Sequence, residues 1–116
     1  MAATQFEMVH ELLDLAGARW TVDVVTVLRS GRIRFNEIAR EVEGISQKQL
    51  TLTLRNLQRE GFASRVAFAT IPPRVEYELT ELGVNFADSV RPLGAFAVRN
   101  RDSIEAARRQ FDGPDE

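Results

Sequence analysis

The chain contains no cysteine and only one histidine, His10, among its 116 residues. Without cysteine it forms no disulfide, offers no thiolate ligand to a metal and has no thiol for redox sensing. A single histidine leaves only carboxylates as further metal ligands, which is a poor set for a transition metal. No Ser-His-Asp arrangement can be argued around His10, and no glycine-rich loop that would cradle a phosphate is present. We therefore expect no metal, no cofactor and no enzymatic activity.

Long apolar runs are also missing, since none approaches the roughly 20 residues that a helix needs to span a bilayer. The chain does not open with a basic-then-apolar leader, so we expect no signal peptide. Apolar residues make up 44% of the sequence, which is enough for a hydrophobic core, and the length suits one domain. The expectation is a single cytoplasmic domain over residues 1–116, without a membrane partner.

The formal net charge is only −2, but the charges are distributed unevenly along the chain. Residues 29–74 contain nine Lys and Arg against four Asp and Glu, whereas the remainder contains six against thirteen. A basic middle section between acidic ends is typical of a protein with one face suited to a polyanion. Charge spread by chance over a solvated surface is the alternative interpretation.

Hydrophobic periodicity predicts four helices in the first half of the chain, over residues 6–16, 20–29, 35–42 and 46–60. The apolar residues of the first helix cover about half of its circumference, which is wider than one core contact needs and indicates a second subunit as a neighbour. Ser46 and Gln49 form a capping box that fixes the start of the fourth helix. Two helices joined by a turn at Gly44 predict a helix-turn-helix over residues 35–60.

A β-hairpin is predicted over residues 62–79. Residues 62–68 have β character, residues 75–79 alternate apolar with acidic side chains, and the stiff Pro72-Pro73 pair lies between them. A hairpin that follows a helix-turn-helix is a wing. The predicted fold is therefore mainly α with a small β-hairpin wing (α+β), a winged helix-turn-helix.

The C-terminal part of the chain is predicted to be helical. Thr80 is a suitable N-cap for a helix that runs toward Arg99, and Pro92 should kink it. Residues 100–111 are expected to close the chain as a further segment with one apolar face.

The fourth predicted helix has an apolar stripe and an opposite basic face. Leu50, Leu54 and Leu57 form the stripe, while Lys48 and Arg55 lie on the other side. The major groove admits one α-helix; there Arg and Lys read guanine, Asn and Gln read adenine, and apolar atoms contact the thymine methyl. We expect the N-terminal half of this helix to reach base edges. An ordinary solvated helix face is the alternative.

The predicted DNA contacts also include two cations outside this helix. Arg34 precedes the third helix and could clamp a phosphate there. Arg74 follows the proline pair and could enter the minor groove or grip its backbone, or else it pairs with Glu76 or Glu78. The complete predicted DNA-binding set is Arg34, Ser46, Gln47, Lys48, Thr51, Leu52, Arg55 and Arg74.

Five segments together resemble a known family: residues 17–21, 34–38, 44–51, 54–57 and, most specifically, 72–83 with the sequence PPRVEYELTELG. In order and spacing they resemble the HxlR family of bacterial transcription regulators, relatives of the MarR-type winged-helix proteins. The resemblance runs from about Val9 to Phe111. It implies a homodimer that binds double-stranded DNA and represses or activates a neighbouring operon. A dimer in turn predicts an inverted-repeat operator with half-site centres about 10 bp apart, or a multiple of that.

The resemblance also implies that the two chains join through the first helix and the C-terminal helices, residues 6–16 and 81–111. The apolar residues expected in this dimer interface are Val9, Leu12, Leu13, Leu93, Phe96, Ile104 and Phe111. Many family members sense oxidants or electrophiles through a cysteine just before the first helix, and this chain has none. Leu52 stands where a polar residue is common in the family, and residues 67–70, which lead into the wing, are unusually apolar.

Two questions stay open from the sequence. Trp20, Phe86 and Phe96 could line a pocket for a small apolar effector near the dimer seam, or they are simply core aromatics. The winged helix could also be a protein-interaction module that does not bind DNA, because fold does not dictate function. A steep loss of duplex binding with rising salt would support DNA binding, and a flat response would support the docking module.

Overall fold

The computed structural model describes residues 5–113, which form five helices and one three-stranded sheet. In chain order the elements are α1 (Gln5–Gly17), α2 (Thr21–Leu28), β1 (Ile33–Arg34), α3 (Phe35–Glu41), α4 (Gln47–Arg59), β2 (Ala63–Phe68), β3 (Arg74–Leu79) and α5 (Glu81–Asp112). This order confirms the predicted fold class, mainly α with a small β-hairpin wing. Residues 1–4 and 114–116 of the predicted domain lie outside the described range.

Two glycines with positive φ make the turns on either side of α4. Gly44 lies between α3 and α4 at φ 88°, and Gly61 follows α4 at φ 82°. The Gly61 N–H donates to the carbonyl oxygen of Gln58 at 3.0 Å and closes the last turn of the helix. A side chain with a Cβ is disfavoured in this left-handed region, so glycine permits the tight turn between α3 and α4 and the tight turn from α4 into β2.

The wing is the β2–β3 hairpin, and β3 is the central strand of an antiparallel sheet with the order β1-β3-β2. Tyr77 of β3 pairs with Ile33 of β1 on one side and with Arg65 of β2 on the other. The sequence did not predict β1, because two residues are too short to show an alternating pattern. The pairing of β1 attaches the wing to the residues that lead directly into α3.

The hydrophobic core lies between α2, α3, α4 and the sheet. Its buried apolar side chains are Val24, Val25, Leu28, Ile38, Val42, Leu50, Leu54, Leu57, Phe62, Ala63 and Tyr77. No residue of α1 is fully buried, although Leu12 and Leu15 pack against the edge of the core. The core therefore holds α4 firmly and leaves much of α1 at the surface.

Helix α5 is continuous over 32 residues, so the prediction of a separate closing segment after Arg99 was wrong. The Asn100 side chain does not break the helix, because its Nδ2 donates to the carbonyl oxygen of Phe96 at 2.9 Å. The next residue, Arg101, pairs with Glu105 at 3.1 Å, an i,i+4 spacing that supports a helix. Within the described part of the chain, neither α5 nor any other helix has the length and apolar character to cross a membrane.

The start of α5 is locked onto the wing. As predicted, Thr80 caps the helix: its Oγ1 accepts the Gly83 N–H at 3.0 Å and donates to the carbonyl oxygen of Gly61 at 2.6 Å. Gly83 is buried against the backbone of Phe62, where a Cβ would lie 2.8 Å from the carbonyl carbon and closer still to the carbonyl oxygen. Only glycine allows the helix to approach the wing this closely.

Candidate nucleic-acid interface

Helix α4 turns one face into the core and the opposite face into solvent. Leu50, Leu54 and Leu57 each have no exposed surface, so the predicted buried stripe is confirmed. Leu52, by contrast, is 59% exposed. It shares one shallow depression on the outer face with Gln47, Lys48, Thr51 and Arg55, all of them exposed. The predicted DNA-binding residues of this helix therefore form one continuous surface.

The start of α4 is fixed by the capping box that the sequence predicted. The Gln49 N–H donates to Ser46 Oγ, and the Ser46 N–H donates to Gln49 Oε1, both at 3.0 Å. The cap uses the Ser46 hydroxyl as an acceptor only, so its O–H is still a donor at an exposed position. The start of the helix also has a partial positive charge, which favours an anion at this end.

Lys48 and Arg55 are both exposed on the outer face of α4. Among residues 5–113, no Asp or Glu side chain lies within 4.0 Å of either. Arg59, at the far end of α4, pairs instead with Glu60 at 3.0 Å. Within residues 5–113, no ion pair therefore neutralises the positive charge of Lys48 and Arg55, an arrangement that attracts a polyanion.

A cleft of about 550 Å³ lies where the starts of α3 and α4 face the wing. Its lining is Arg34, Phe35, Asn36, Gln47, Thr51, Arg65, Thr70, Pro72, Pro73, Arg74, Val75 and Tyr77. Four residues of the predicted DNA-binding set meet here, two from α4 and one from each flanking segment. Asn36 and Thr70 were not in that set, because neither belongs to the spacing pattern of α4 and neither has the positive charge that singled out Arg34 and Arg74.

Arg34 and Arg74 both approach one carboxylate in this cleft. Glu76 Oε2 lies 3.0 Å from Arg74 Nε and 3.9 Å from Arg34 Nε. The sequence left open whether Arg74 pairs with Glu76 or Glu78, and the structure shows Glu76; Glu78 pairs with Arg32 at 3.2 Å instead. Arg74 Nε is buried and makes no hydrogen bond with the described residues, so its contact with Glu76 is an ion pair without hydrogen-bond alignment.

An aromatic side chain of β2, Phe68, packs against Arg74. The Arg74 guanidinium lies over the ring of Phe68, 4.2 Å from its centroid, a distance at which a cation is attracted to an aromatic face. Beyond them Ile71 is fully exposed in the connector between β2 and β3. The wing thus presents the Arg74 guanidinium, packed on Phe68, beside the exposed apolar side chain of Ile71.

The sequence matches the family model of the HxlR-like helix-turn-helix over residues 15–105. The chain belongs to the HxlR family. It is 36% identical over 99 residues to YtfH of Escherichia coli K12, an uncharacterised helix-turn-helix-type transcriptional regulator, and the match covers 85% of this chain and 79% of that protein. Because the family and its relatives are transcription regulators, the expectation that the chain is not an enzyme is confirmed.

Solved structures of regulators share the fold of this HxlR protein. The transcriptional regulator YtfH from Salmonella typhimurium is 36% identical, with a TM-score of 0.77 over 87% of this chain and 90% of that one. The redox regulator HypR in its reduced form is also 36% identical, with a TM-score of 0.78 over 84% of this chain and 97% of that one. This HxlR chain has no cysteine, so it has no thiol with which to sense oxidants.

The predicted dimer residues of the HxlR chain lie at or near its surface. Leu12 and Ile104 are half-buried and the other five are exposed, Phe111 to 90%. An apolar cleft of about 620 Å³ separates α1 from α5, and Val9, Leu12, Leu13 and Leu93 line it. Phe96, Ile104 and Phe111 follow along α5 outside this cleft.

The three predicted effector-pocket aromatics do not meet in one cavity. Trp20 packs near Gly44, Phe86 stacks on Phe62 with ring centroids 4.5 Å apart, and Phe96 is half exposed. Phe86 lines two apolar clefts beside α5, and neither Trp20 nor Phe96 belongs to these. The effector pocket therefore stays a prediction.

Across residues 5–113, no three His, Asp or Glu side chains lie close enough together to hold a metal ion. His10 is exposed on α1.

Proposed function

We propose that this HxlR protein is a sequence-specific regulator that inserts the outer face of α4 into the major groove of double-stranded DNA. The observation that carries the proposal is the orientation of α4: three leucines hold it in the core, and its uncompensated cations face outward. A duplex is the polyanion whose groove is wide enough for one helix.

The contacts divide into base readout and backbone positioning. Gln47, Lys48 and Thr51 lie at the start of α4, which penetrates furthest in helix-turn-helix proteins. Arg55 lies one turn after Thr51 on the same exposed surface and suits a guanine, while Leu52 suits a thymine methyl. Ser46 and two arginines of the cleft, Arg34 and Arg74, suit phosphates on either side of the groove.

We further propose that the protein binds an inverted-repeat operator as a homodimer. Large apolar side chains on α1 and α5, including Leu13, Leu93 and Phe96, are at least half exposed in the single chain. An exposed apolar surface of this kind is typical of a protein–protein interface. A second copy with the same surface would cover it and bring two copies of α4 to one duplex, which supports half-sites about 10 bp apart or a multiple of that.

Selection from a random-sequence duplex pool, followed by fluorescence anisotropy with the recovered duplex, tests DNA binding. Affinity should fall steeply as salt rises, since several phosphate contacts release counterions. Arg55→Ala should weaken binding of the selected duplex by roughly 1–3 kcal/mol if Arg55 reads a guanine. Arg109→Ala on α5 removes the same charge outside both the α4 surface and the cleft, on a different face of α5 from Ile104 and Phe111, and is the matched control. A flat salt response, or equal effects of both substitutions, would contradict the proposed interface.

Sedimentation velocity tests the dimer. Leu13→Glu should convert the dimer to a monomer, because it places a charge in the apolar surface between α1 and α5. Ile71→Glu makes the same change at the fully exposed wing tip and should leave the mass of the assembly unchanged. A monomeric wild-type protein, or a Leu13→Glu protein that stays dimeric, would refute the proposed interface.

A further inference from the structure

Glu76 is the one acidic residue that the structure places against both Arg34 and Arg74, two of the three arginines that line the cleft, as judged over residues 5–113. Its side chain is only 16% exposed, so its carboxylate is held in position. Glu76 alternates with apolar Val75 and Tyr77 in the sequence, a pattern typical of a solvent-facing side chain on a half-buried strand. The structure instead shows a half-buried carboxylate beside two guanidinium groups that line the candidate DNA surface.

The sheet topology explains how one carboxylate reaches both arginines. On the central strand, Glu76 is the register partner of Arg34 in β1 and of Val66 in β2. Arg34 is also the residue that precedes α3, and Arg74 begins the outgoing strand of the wing. Glu76 therefore links the helix-turn-helix to the wing through charge, at the point where the two must hold a fixed spacing across a duplex.

We propose that Glu76 is a positioning residue that sets the specificity of the DNA surface. Its carboxylate holds Arg34 and Arg74 at a spacing that fits a correctly seated duplex, and its negative charge weakens the attraction of the cleft for any other polyanion. This inference rests on the proposed function, because it concerns how that DNA surface discriminates.

The geometry gives both effects a physical basis. A partly buried carboxylate 3.0 Å from one guanidinium and 3.9 Å from another restricts both side chains and offsets one of the three arginine charges in the cleft. Binding to arbitrary duplex depends mainly on charge, whereas binding to a selected sequence also depends on register and orientation. Removal of the Glu76 charge should therefore raise the affinity for arbitrary duplex. It should also lower the ratio of the affinity for selected duplex to the affinity for arbitrary duplex.

The test compares Glu76→Gln, Glu76→Asp and Glu78→Gln in the full-length protein. Glu78→Gln is the matched control, since Glu78 lies two residues along the same strand and pairs with Arg32, outside the cleft. Each protein is titrated by anisotropy against the duplex that the wild type selects from a random pool and against unselected pool duplex, at several salt concentrations. Thermal melting checks that each variant is folded.

Glu76→Gln should bind unselected duplex roughly two- to fivefold more tightly at low salt, the range expected for one partly exposed ion pair. Its ratio of selected to unselected affinity should fall by a similar factor, and its salt slope should steepen by about one phosphate contact. Glu76→Asp keeps the charge but is one methylene shorter, so the ratio should fall without tighter binding of unselected duplex. Glu78→Gln should keep the wild-type ratio.

A fall in the ratio for both Glu76 variants but not for Glu78→Gln supports the proposal. An unchanged ratio for the Glu76 variants, or the same change in all three, overturns it while DNA binding by the wild type stands. If the wild type selects no duplex, the proposed function fails and the role of Glu76 fails with it. Failure of the proposed function and failure of the role of Glu76 can be told apart, because duplex selection by the wild type is measured before the variants are compared.

Discussion

Gly83→Ala should destabilise the protein strongly, although glycine to alanine within a helix normally stabilises it. The usual gain is about 1 kcal/mol, because alanine loses less backbone entropy on folding. At Gly83 the added Cβ would lie 2.8 Å from the carbonyl carbon of Phe62 and 3.1 Å from its Cα. Unbonded carbon atoms are normally about 3.5–4.0 Å apart, so the start of α5 must move away from the wing by about 1 Å.

The loss in the free energy of unfolding follows from the contacts and hydrogen bonds that this displacement disrupts. Overpacking a buried site costs about 1–3 kcal/mol. The shift also weakens the cap and the hydrogen bond from Thr80 N–H to the carbonyl oxygen of Phe62, now 3.0 Å, each worth about 1 kcal/mol. We expect a net loss of about 2–4 kcal/mol in the free energy of unfolding, after the helix-propensity gain is subtracted.

Urea unfolding followed by circular dichroism measures this difference. Gly94→Ala is the matched control, since Gly94 lies in the same helix and, apart from its chain neighbours and the adjacent helix backbone, no described atom lies within 4 Å of a Cβ at that position. It should stabilise the protein by about 0.5–1 kcal/mol. Each variant is measured at two protein concentrations, so that any effect on dimerisation appears as a concentration dependence. A Gly83→Ala protein as stable as Gly94→Ala would show that α5 does not press on Phe62 as described.

Substitutions at three further positions, Ser46, Leu52 and Leu54, test how α4 is held. Ser46→Ala should lower the free energy of unfolding by about 0.5–2 kcal/mol through loss of the cap, and Ser46→Asp, which can still accept the Gln49 N–H, should restore most of it; equal stability of the two would argue against the cap. Leu54→Ala should cost about 2–5 kcal/mol because its side chain is fully buried, whereas Leu52→Ala should change stability by less than about 0.5 kcal/mol and weaken duplex binding. Chemical denaturation and anisotropy measure these effects, and similar losses of stability at both leucines would mean that α4 is rotated from its described orientation.

The parts of the fold that depend on neighbours in sequence could be predicted from the sequence. Helix α4 combines a local cap at Ser46 with leucines at helical spacing, and both signals lie within one segment. The same holds for the alternation in β3 and for the Thr80 cap. These local signals also located the exposed face of α4, which is most of the candidate site.

The parts that depend on distant residues could not be predicted. Strand β1 exists because Ile33 meets Tyr77, 44 residues later, and nothing in a two-residue segment signals that pairing. The position of Glu76 beside Arg34 depends on the same register, so its half-burial had no local pattern either. The continuity of α5 was missed because Asn100 favours helix ends in general, whereas here its side chain bonds within the helix.

The length of α5 has a mechanical consequence. A helix of 32 residues is about 48 Å long, and its first turn is anchored to the same small body that holds α4. It is therefore a lever arm: a tilt of about 5° at the anchored end moves the Phe111 end by about 4 Å. Conversely, a contact that holds the C-terminal turns of α5 in place also sets the orientation of α4 relative to that contact. In the proposed complex, packing along the distal part of α5 would thus change how α4 fits the duplex, with no change in the proposed DNA-contacting residues.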